Sequence, residues 1–166
     1  MSEGEAIRIS LAGPEATVVV AARLAPLARS GDVIALSGDL GMGKTTFARG
    51  FINALAASDG QAPEDVPSPT FTLVQTYPFA AFTVWHIDLY RIERPDDALE
   101  LGIEEAFANG VSLIEWPDRL GPHLPADRLE IAFLPGPADA GADARELVFD
   151  APGGWRKRVA QAVAHG

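Results

Sequence analysis

Eight consecutive residues fit the phosphate-loop pattern G-x-x-x-x-G-K-[ST]; they are Gly38-Asp39-Leu40-Gly41-Met42-Gly43-Lys44-Thr45. The glycines allow successive backbone N–H groups to point at a β-phosphate, and the positive end of the following helix favours the same anion. Lys44 would reach the β- and γ-phosphates, and the Thr45 hydroxyl suits a Mg²⁺ ion that bridges them. The segment therefore predicts binding of an adenine or guanine nucleotide together with Mg²⁺.

Two acidic residues follow short apolar segments and are candidates to complete such a site. Asp88 ends the segment that begins at Thr83, and Glu115 ends the segment that begins at Val111. If both segments are strands of an open α/β sheet, each carboxylate lies at the carboxyl edge, where such sheets bind ligands. A phosphate loop needs one carboxylate to hold Mg²⁺ directly or through water, and the spacing does not show which one does so. Each could instead cap its strand or pair with a surface arginine.

Two further groups give weaker indications of chemistry. Ser68-Pro69-Thr70 stands between a long loop and a strand, where a P-loop protein can carry a hydroxyl that senses the γ-phosphate; a plain turn is the alternative. His86 lies two residues before Asp88, and no other histidine is near it in the sequence. We therefore favour a structural histidine over a metal ligand.

The phosphate loop must join a buried strand to a helix, and its flanking sequence predicts both elements. The apolar run 33–36 leads into the loop, and a helix is expected over about 44–57. Elsewhere the patterns predict strands over 7–11, 71–77, 82–88, 111–115, 128–134 and 145–149 and helices over 14–27, 95–109 and 155–164.

The order of these elements predicts the fold class. Strands and helices interleave in the first half, and hairpin-like pairs of strands follow. We therefore expect an α/β, P-loop NTPase-like fold with a mainly parallel central sheet, antiparallel added strands and flanking helices. Residues 1–166 are expected to form a single domain, in which 118–166 supplies peripheral strands and the terminal helix.

The composition argues against several classes of function. The 166-residue chain contains no cysteine, which excludes disulfides, thiolate metal sites and thiol nucleophiles. Its formal net charge of −10 argues against autonomous binding to DNA or to an acidic membrane surface. Met1–Ser10 lacks the apolar core of a signal peptide, and no apolar run reaches the length of a membrane span. We therefore expect a cytoplasmic protein.

Four segments in this order resemble the motif set of the TsaE (YjeE) family. They are Gly38-Asp39-Leu40-Gly41-Met42-Gly43-Lys44-Thr45-Thr46, Ser68-Pro69-Thr70-Phe71-Thr72-Leu73-Val74, His86-Ile87-Asp88-Leu89-Tyr90-Arg91 and Glu115-Trp116-Pro117. The first motif is shared widely among P-loop proteins, whereas the four in order are highly specific. Members of this family are small bacterial P-loop ATPases required for the threonylcarbamoyladenosine (t6A) modification of tRNA at adenosine 37. The resemblance, which extends from about Thr17 to Pro117, implies a single P-loop ATPase domain that binds ATP and ADP with Mg²⁺.

The resemblance also implies roles for individual residues. Thr45 and Glu115 would hold Mg²⁺, and Asp88 would be the Walker-B-like carboxylate that supports hydrolysis. Lys44, Asp88 and Glu115 would form the catalytic set.

Further residues would contact the nucleotide. Thr17 matches a family position near the adenine, Thr70 would lie in a switch-like loop, and Trp116 would lie close to the active centre. The remaining implied contacts come from the phosphate loop and comprise Gly38, Asp39, Gly41, Met42, Gly43, Lys44, Thr45 and Thr46.

The resemblance implies protein partners as well. Family members work with the TsaB and TsaD proteins and bind at the interface between those two, and ATP hydrolysis is thought to reset that assembly between modification cycles. Contact with tRNA would then be indirect, through the complex. The basic residues within Trp155–Arg158 could touch tRNA or an acidic partner, although a solvated helix face is the more common role of such a cluster.

Two alternatives use the same phosphate loop. A small-molecule kinase would pass the γ-phosphate to a substrate hydroxyl, but it usually needs an arginine-bearing lid, and acidic neighbours would compete for Arg91 and Arg94. A nucleotide-gated assembly module would bind ATP without hydrolysing it. A GTPase is disfavoured because neither lysine is preceded by asparagine, as the guanine-binding Asn-Lys-x-Asp element requires.

Overall fold

A computed structural model describes residues 6–63, 65–69 and 73–164. Seven strands form a sheet: β1 (Ile7–Leu11), β2 (Val33–Ser37), β3 (Val74–Pro78), β4 (Thr83–Asp88), β5 (Val111–Glu115), β6 (Leu129–Pro135) and β7 (Arg145–Asp150). The α-helices are α1 (Pro14–Leu24), α2 (Lys44–Ser58), α3 (Ile103–Asn109) and α4 (Gly154–Val163). Short 3₁₀ segments cover Ala25–Leu27, Pro95–Leu101, Pro117–His123 and Ala138–Ala140.

The strand order in the sheet is β1-β7-β6-β2-β5-β4-β3. The four central strands, β6, β2, β5 and β4, pair in parallel, whereas β1, β7 and β3 are joined through antiparallel pairs. The prediction of an α/β fold with a parallel centre and antiparallel additions is therefore confirmed.

Strand β2 is covered on both faces, which explains its uninterrupted apolar sequence. Ile34 and Leu36 belong to a core that also contains residues of α1, α2 and α4. Val33 belongs to a second core, which contains residues of α3 and of the 3₁₀ segments beside it. Because successive side chains of a strand point to opposite faces, these two cores lie on opposite sides of the sheet.

Helix α2 is held against β6 by aromatic packing. The buried rings of Phe47 and Phe133 meet edge to face with their centroids 5.9 Å apart. Phe47 also stacks on Phe51, one helical turn further along α2. These contacts fix the first turn of α2, which contains Lys44 and Thr45, relative to the carboxyl ends of the central strands.

Three local features differ from the sequence-based predictions. The helix predicted over 95–109 is interrupted at Gly102, whose φ of 80° lies in the left-handed region that ends a helix. The strand predicted over 71–77 begins only at Val74 among the described residues, because Leu73 is in a bend with a φ of 66°; Phe71 and Thr72 lie outside the described residues. Strand β6, predicted at the periphery, lies between β2 and β7, because the buried face formed by Leu129, Ile131 and Phe133 packs in the core shared with α1 and α2.

Within the described ranges, no helix combines the length and the apolar composition needed to cross a bilayer.

Candidate functional site

The phosphate-loop segment connects the end of β2 to the start of α2 and requires glycine at two positions. Gly38 has a φ of 142°, and a Cβ placed on it would lie 2.6 Å from the Phe133 carbonyl oxygen. Gly43 has a φ of 111° and is the residue from which α2 begins. Residues that have a Cβ rarely adopt these φ values, so glycine allows both the tight turn of the loop and its close approach to β6.

Lys44 extends from the first residue of α2 back across the loop. Its side chain is buried, with 4% of the residue exposed, and Nζ donates hydrogen bonds to the carbonyl oxygens of Gly38 and Asp39, the latter at 3.0 Å. Burial lowers the pKa of the Lys44 ammonium below its usual value of 10.5, and the negative charges of Glu115, Asp88 and Asp39 offset part of that effect. The loop thus contains a positive charge that is poorly hydrated and hence favourable for an anionic ligand.

The two candidate carboxylates lie side by side. Asp88 and Glu115 are register partners at the ends of the parallel strands β4 and β5, and both are buried. The Thr45 hydroxyl lies 3.0 Å from each carboxylate oxygen of Glu115. Asp88 accepts a hydrogen bond from the Tyr90 backbone N–H at 3.0 Å and lies 3.4 Å from the Ser68 hydroxyl. Thr45 is therefore next to Glu115, and Asp88 faces the segment that contains Ser68.

His86 makes a contact that the sequence did not predict. Its Nε2 lies 2.7 Å from Glu115 Oε2, and the imidazole has no exposed surface. The signal available in the sequence was the i, i+2 spacing from Asp88, which places both side chains on one face of β4. The sequence did not reveal that β5 brings Glu115 next to that face.

A cavity of about 420 Å³ opens at this edge of the sheet. Its lining includes Pro14, Thr17, Leu40, Gly41, Met42, Gly43, Lys44, Thr45, Thr46, Ser68, Asp88, Tyr90, Glu115, Trp116, Asp143 and Arg145. Gly38 and Asp39 are the remaining phosphate-loop residues of the predicted set, and both contribute the carbonyl groups that Lys44 contacts. Thr70, the predicted switch residue, lies outside the described residues.

Two lining residues come from a part of the chain in which the sequence offered no motif. Asp143 lies in the loop between β6 and β7, and Arg145 begins β7. An Arg145 Nη2 group donates to the Gly41 carbonyl oxygen at 3.3 Å, so β7 is tied to the phosphate loop. Gly41 and Arg145 are 104 positions apart in the sequence, and no local pattern could have predicted their contact.

The oxygen groups in the cavity suit Mg²⁺. They are the Thr45 hydroxyl and the carboxylates of Glu115 and Asp88, all hard donors of the kind this ion prefers. Across the part of the chain that the structure describes, no group of three or more His, Cys, Asp or Glu side chains is arranged to hold a metal ion.

Known proteins resemble this chain over most of its length. The family model of threonylcarbamoyl adenosine biosynthesis protein TsaE matches residues 11–142. The tRNA threonylcarbamoyladenosine biosynthesis protein TsaE of Bacillus subtilis (strain 168) is 40% identical over 141 residues, which cover 84% of this chain and 82% of that protein. The protein of the same name from Nostoc sp. (strain PCC 7120 / SAG 25.82 / UTEX 2576) is 33% identical over 152 residues, 89% of this chain and 88% of that protein.

A solved structure has the same arrangement of elements. The crystal structure of Bacillus subtilis YdiB superposes with a TM-score of 0.75 at 32% sequence identity, and the match covers 97% of this chain and 96% of that one. The likeness therefore includes β6, β7 and α4, which lie beyond the last sequence motif.

Proposed function

Because this chain belongs to the TsaE family, whose members take part in t6A biosynthesis on tRNA, we propose that it is a Mg²⁺-dependent ATPase of that pathway. The observation that carries the proposal is the convergence of the phosphate loop with two carboxylates at one edge of the sheet. Lys44 and Thr45 come from the start of α2, and Asp88 and Glu115 from the ends of neighbouring strands.

The phosphate loop would bind the nucleotide. Backbone N–H groups of residues 38–45 would face the phosphates, and the Lys44 ammonium would exchange its contacts with the Gly38 and Asp39 carbonyl groups for phosphate oxygens. Thr17 and Arg145 also line the cavity and would be available to the remainder of the nucleotide. The preference for adenine over guanine rests on the family membership.

The carboxylates would have separate roles. Thr45 and Glu115, already in contact, would hold Mg²⁺, which neutralises charge on the phosphates when it is bound. Asp88 faces the same cavity from the neighbouring strand. The hydrogen bonds described for its carboxylate involve Ser68 and Tyr90 and not Thr45. We therefore assign to Asp88 the orientation of the attacking water and the acceptance of its proton.

We further propose that the chain acts in the cytoplasm with TsaD and TsaB, in line with its family membership. ATP hydrolysis by this subunit would reset the complex between modification cycles, and TsaD would carry out the group transfer. A net charge of −10 is consistent with this division of labour, since tRNA would be held by the partners.

Phosphate release from Mg·ATP tests the proposal. The purified chain is assayed alone and after addition of purified TsaB and TsaD together, with Lys44→Ala as the inactive control and Lys157→Ala as the matched lysine control. We expect release that depends on Lys44 and increases when both partners are present. Binding of Mg·ATP with no release in either condition would instead support the nucleotide-gated module, and phosphate transfer to an added acceptor would support the kinase.

A further inference from the structure

His86 is the most deeply buried ionisable side chain at the site. Its relative exposure is 0%, and that of Glu115 is 3%. The 2.7 Å contact between His86 Nε2 and Glu115 Oε2 links the middle of β4 to the end of β5. The only other hydrogen-bonding group described on this carboxylate is the Thr45 hydroxyl, at 3.0 Å from both oxygens. Glu115 thus lies between a residue at the floor of the site and a residue of the phosphate loop.

The sheet register explains why His86 is the residue that reaches Glu115. Asp88 is the register partner of Glu115, and His86 precedes Asp88 by two positions on the same face of β4. A one-residue shift of β4 would turn both side chains to the opposite face of the sheet. The strand that supplies one carboxylate therefore also supplies the support for the other.

The contact constrains the position of the ring proton. An ionised Glu115 carboxylate can only accept hydrogen bonds, and Nε2 of His86 is then the donor. Nδ1 is buried and has no hydrogen-bond partner among the residues that the structure describes. A ring with its single proton on Nε2 leaves a lone pair at Nδ1, whereas a second N–H there would be a buried donor without an acceptor.

We propose that His86 is a positioning residue that fixes the rotamer of Glu115, so that its carboxylate is presented to Thr45 and to Mg²⁺. The inference rests on the proposed function, since it concerns the same metal site. A glutamate has three rotatable side-chain bonds, and a donor on one oxygen restricts where the other oxygen can point. Loss of a hydrogen bond that orients a metal ligand typically lowers metal affinity by about tenfold to a hundredfold.

A pair of substitutions tests this role. His86→Gln keeps an N–H donor near the position of Nε2, whereas His86→Leu fills a similar volume without a donor. Affinity for a non-hydrolysable ATP analogue is measured by calorimetry in excess EDTA and across a range of Mg²⁺ concentrations. We expect His86→Leu to need about ten to a hundred times more Mg²⁺ for half-maximal tightening, with the affinity in EDTA preserved. His86→Gln should restore most of the Mg²⁺ response.

The control is His123→Leu, since His123 contacts Asp96 and lies outside the residues that line the cavity. It should leave the Mg²⁺ response unchanged. If His86→Leu weakens binding equally in EDTA and in Mg²⁺, or leaves both unchanged, the positioning role is wrong. If the wild-type protein itself shows no Mg²⁺ response, the proposed Mg²⁺-dependent function fails and the positioning role fails with it, whereas a normal wild-type response that His86→Leu leaves unchanged overturns the role of His86 alone.

Nuclear magnetic resonance of the ring nitrogens tests the hydrogen bond on which the inference depends, and it needs no metal. Long-range proton–nitrogen spectra of the wild-type protein should show that the His86 ring carries its proton on Nε2. Glu115→Gln should change the chemical shift of that proton, because the substitution replaces the carboxylate acceptor by an amide. The spectrum of His86→Gln lacks the His86 ring signal and so identifies it. These spectra use the wild-type ring, so the inference can be tested even if His86→Leu does not fold. A His86 ring that carries its proton on Nδ1 overturns the inference.

Discussion

The ammonium group of Lys44 lies 4.3 Å from the centroid of the Trp116 indole ring. Trp116 directly follows Glu115, has a left-handed backbone with φ of 60°, and packs on Tyr90 with ring centroids 5.0 Å apart. A non-glycine residue in this region of φ is uncommon and is often found at functional sites. The ring covers one side of the Lys44 charge, and the backbone carbonyl groups of the loop satisfy other donors.

The first prediction concerns the titration of Lys44. Because burial lowers its pKa, the folded protein should release this proton below pH 10.5, whereas the unfolded chain keeps it to higher pH. In that interval the unfolded state binds more protons, so the contribution of Lys44 to folding stability increases as the pH rises. Nucleotide affinity should change in the opposite sense, because phosphates require the charged ammonium.

The measurement is a proton–carbon titration of the lysine side chains. The chain contains only two lysines, and Lys44→Arg removes one of the two signals and so identifies it. Nucleotide should raise the pKa of Lys44 and cause proton uptake on binding at alkaline pH. A Lys44 signal that titrates above 10.5 in the free protein would contradict the prediction.

A second prediction separates nucleotide binding from hydrolysis. Lys44→Ala should abolish measurable ADP affinity, because it removes the ammonium group that lies across the phosphate loop and contacts the Gly38 and Asp39 carbonyl groups. Asp88→Asn keeps the acceptor for the Tyr90 N–H but loses the basic oxygen, so it should preserve ADP affinity and slow ATP hydrolysis by about a hundredfold or more. Calorimetry and single-turnover assays provide the two measurements. Equal losses of ADP affinity in both variants would show that these roles are assigned incorrectly.

A third prediction tests the close approach of the phosphate loop to β6. Gly38→Ala should destabilise the protein by about 2–4 kcal/mol, because it combines positive-φ strain with a clash against the Phe133 carbonyl. Gly60→Ala is the matched control, since its φ is 72° and a Cβ there meets no described atom within 4 Å. It should cost about 1–2 kcal/mol from strain alone. Urea unfolding of both variants measures the difference, and equal losses would exclude the clash.

A fourth prediction concerns the terminal helix. Arg158 of α4 pairs with Asp32 at 2.6 and 3.1 Å, and its guanidinium lies 3.6 Å from the centroid of the buried Trp155 ring. Side-chain exposures of 13% and 11% make this pair largely buried, so Arg158→Ala should cost about 3 kcal/mol by leaving Asp32 without its cation.

The exposed pair of Arg8 and Glu146 is the control for that experiment. Its side-chain exposures are 64% and 31%, and Arg8→Ala should therefore cost less than about 1 kcal/mol in the same unfolding assay. A loss for Arg158→Ala as small as that for Arg8→Ala would show that the pair on α4 contributes little. Arg158 is one of the basic residues of the terminal helix. Its contacts with Leu27 and Asp32 attach that helix to the segment before β2.

Most elements could be predicted because their signals are local. Apolar runs, alternation and turn residues predicted all seven strands, and the ends of β2, β4 and β5 were placed within a residue. The interruption of the predicted helix at Gly102 was missed, because a helical pattern on both sides of a glycine does not show whether the glycine adopts a left-handed conformation. The central place of β6 could not be predicted, since strand order depends on packing between elements far apart in the sequence.

The sequence by itself determined the chemistry that is available: a glycine-rich loop with one lysine and one threonine, two carboxylates at strand ends, and no cysteine. Such features are fixed by residue type and by spacing along a single element. Only the tertiary structure decided that Glu115 contacts Thr45 and His86, that Asp88 lies beside it in register, and that Arg145 reaches Gly41. These contacts join different strands and loops, and their geometry is set by sheet register and by the packing of α2 on β6, which no local pattern encodes.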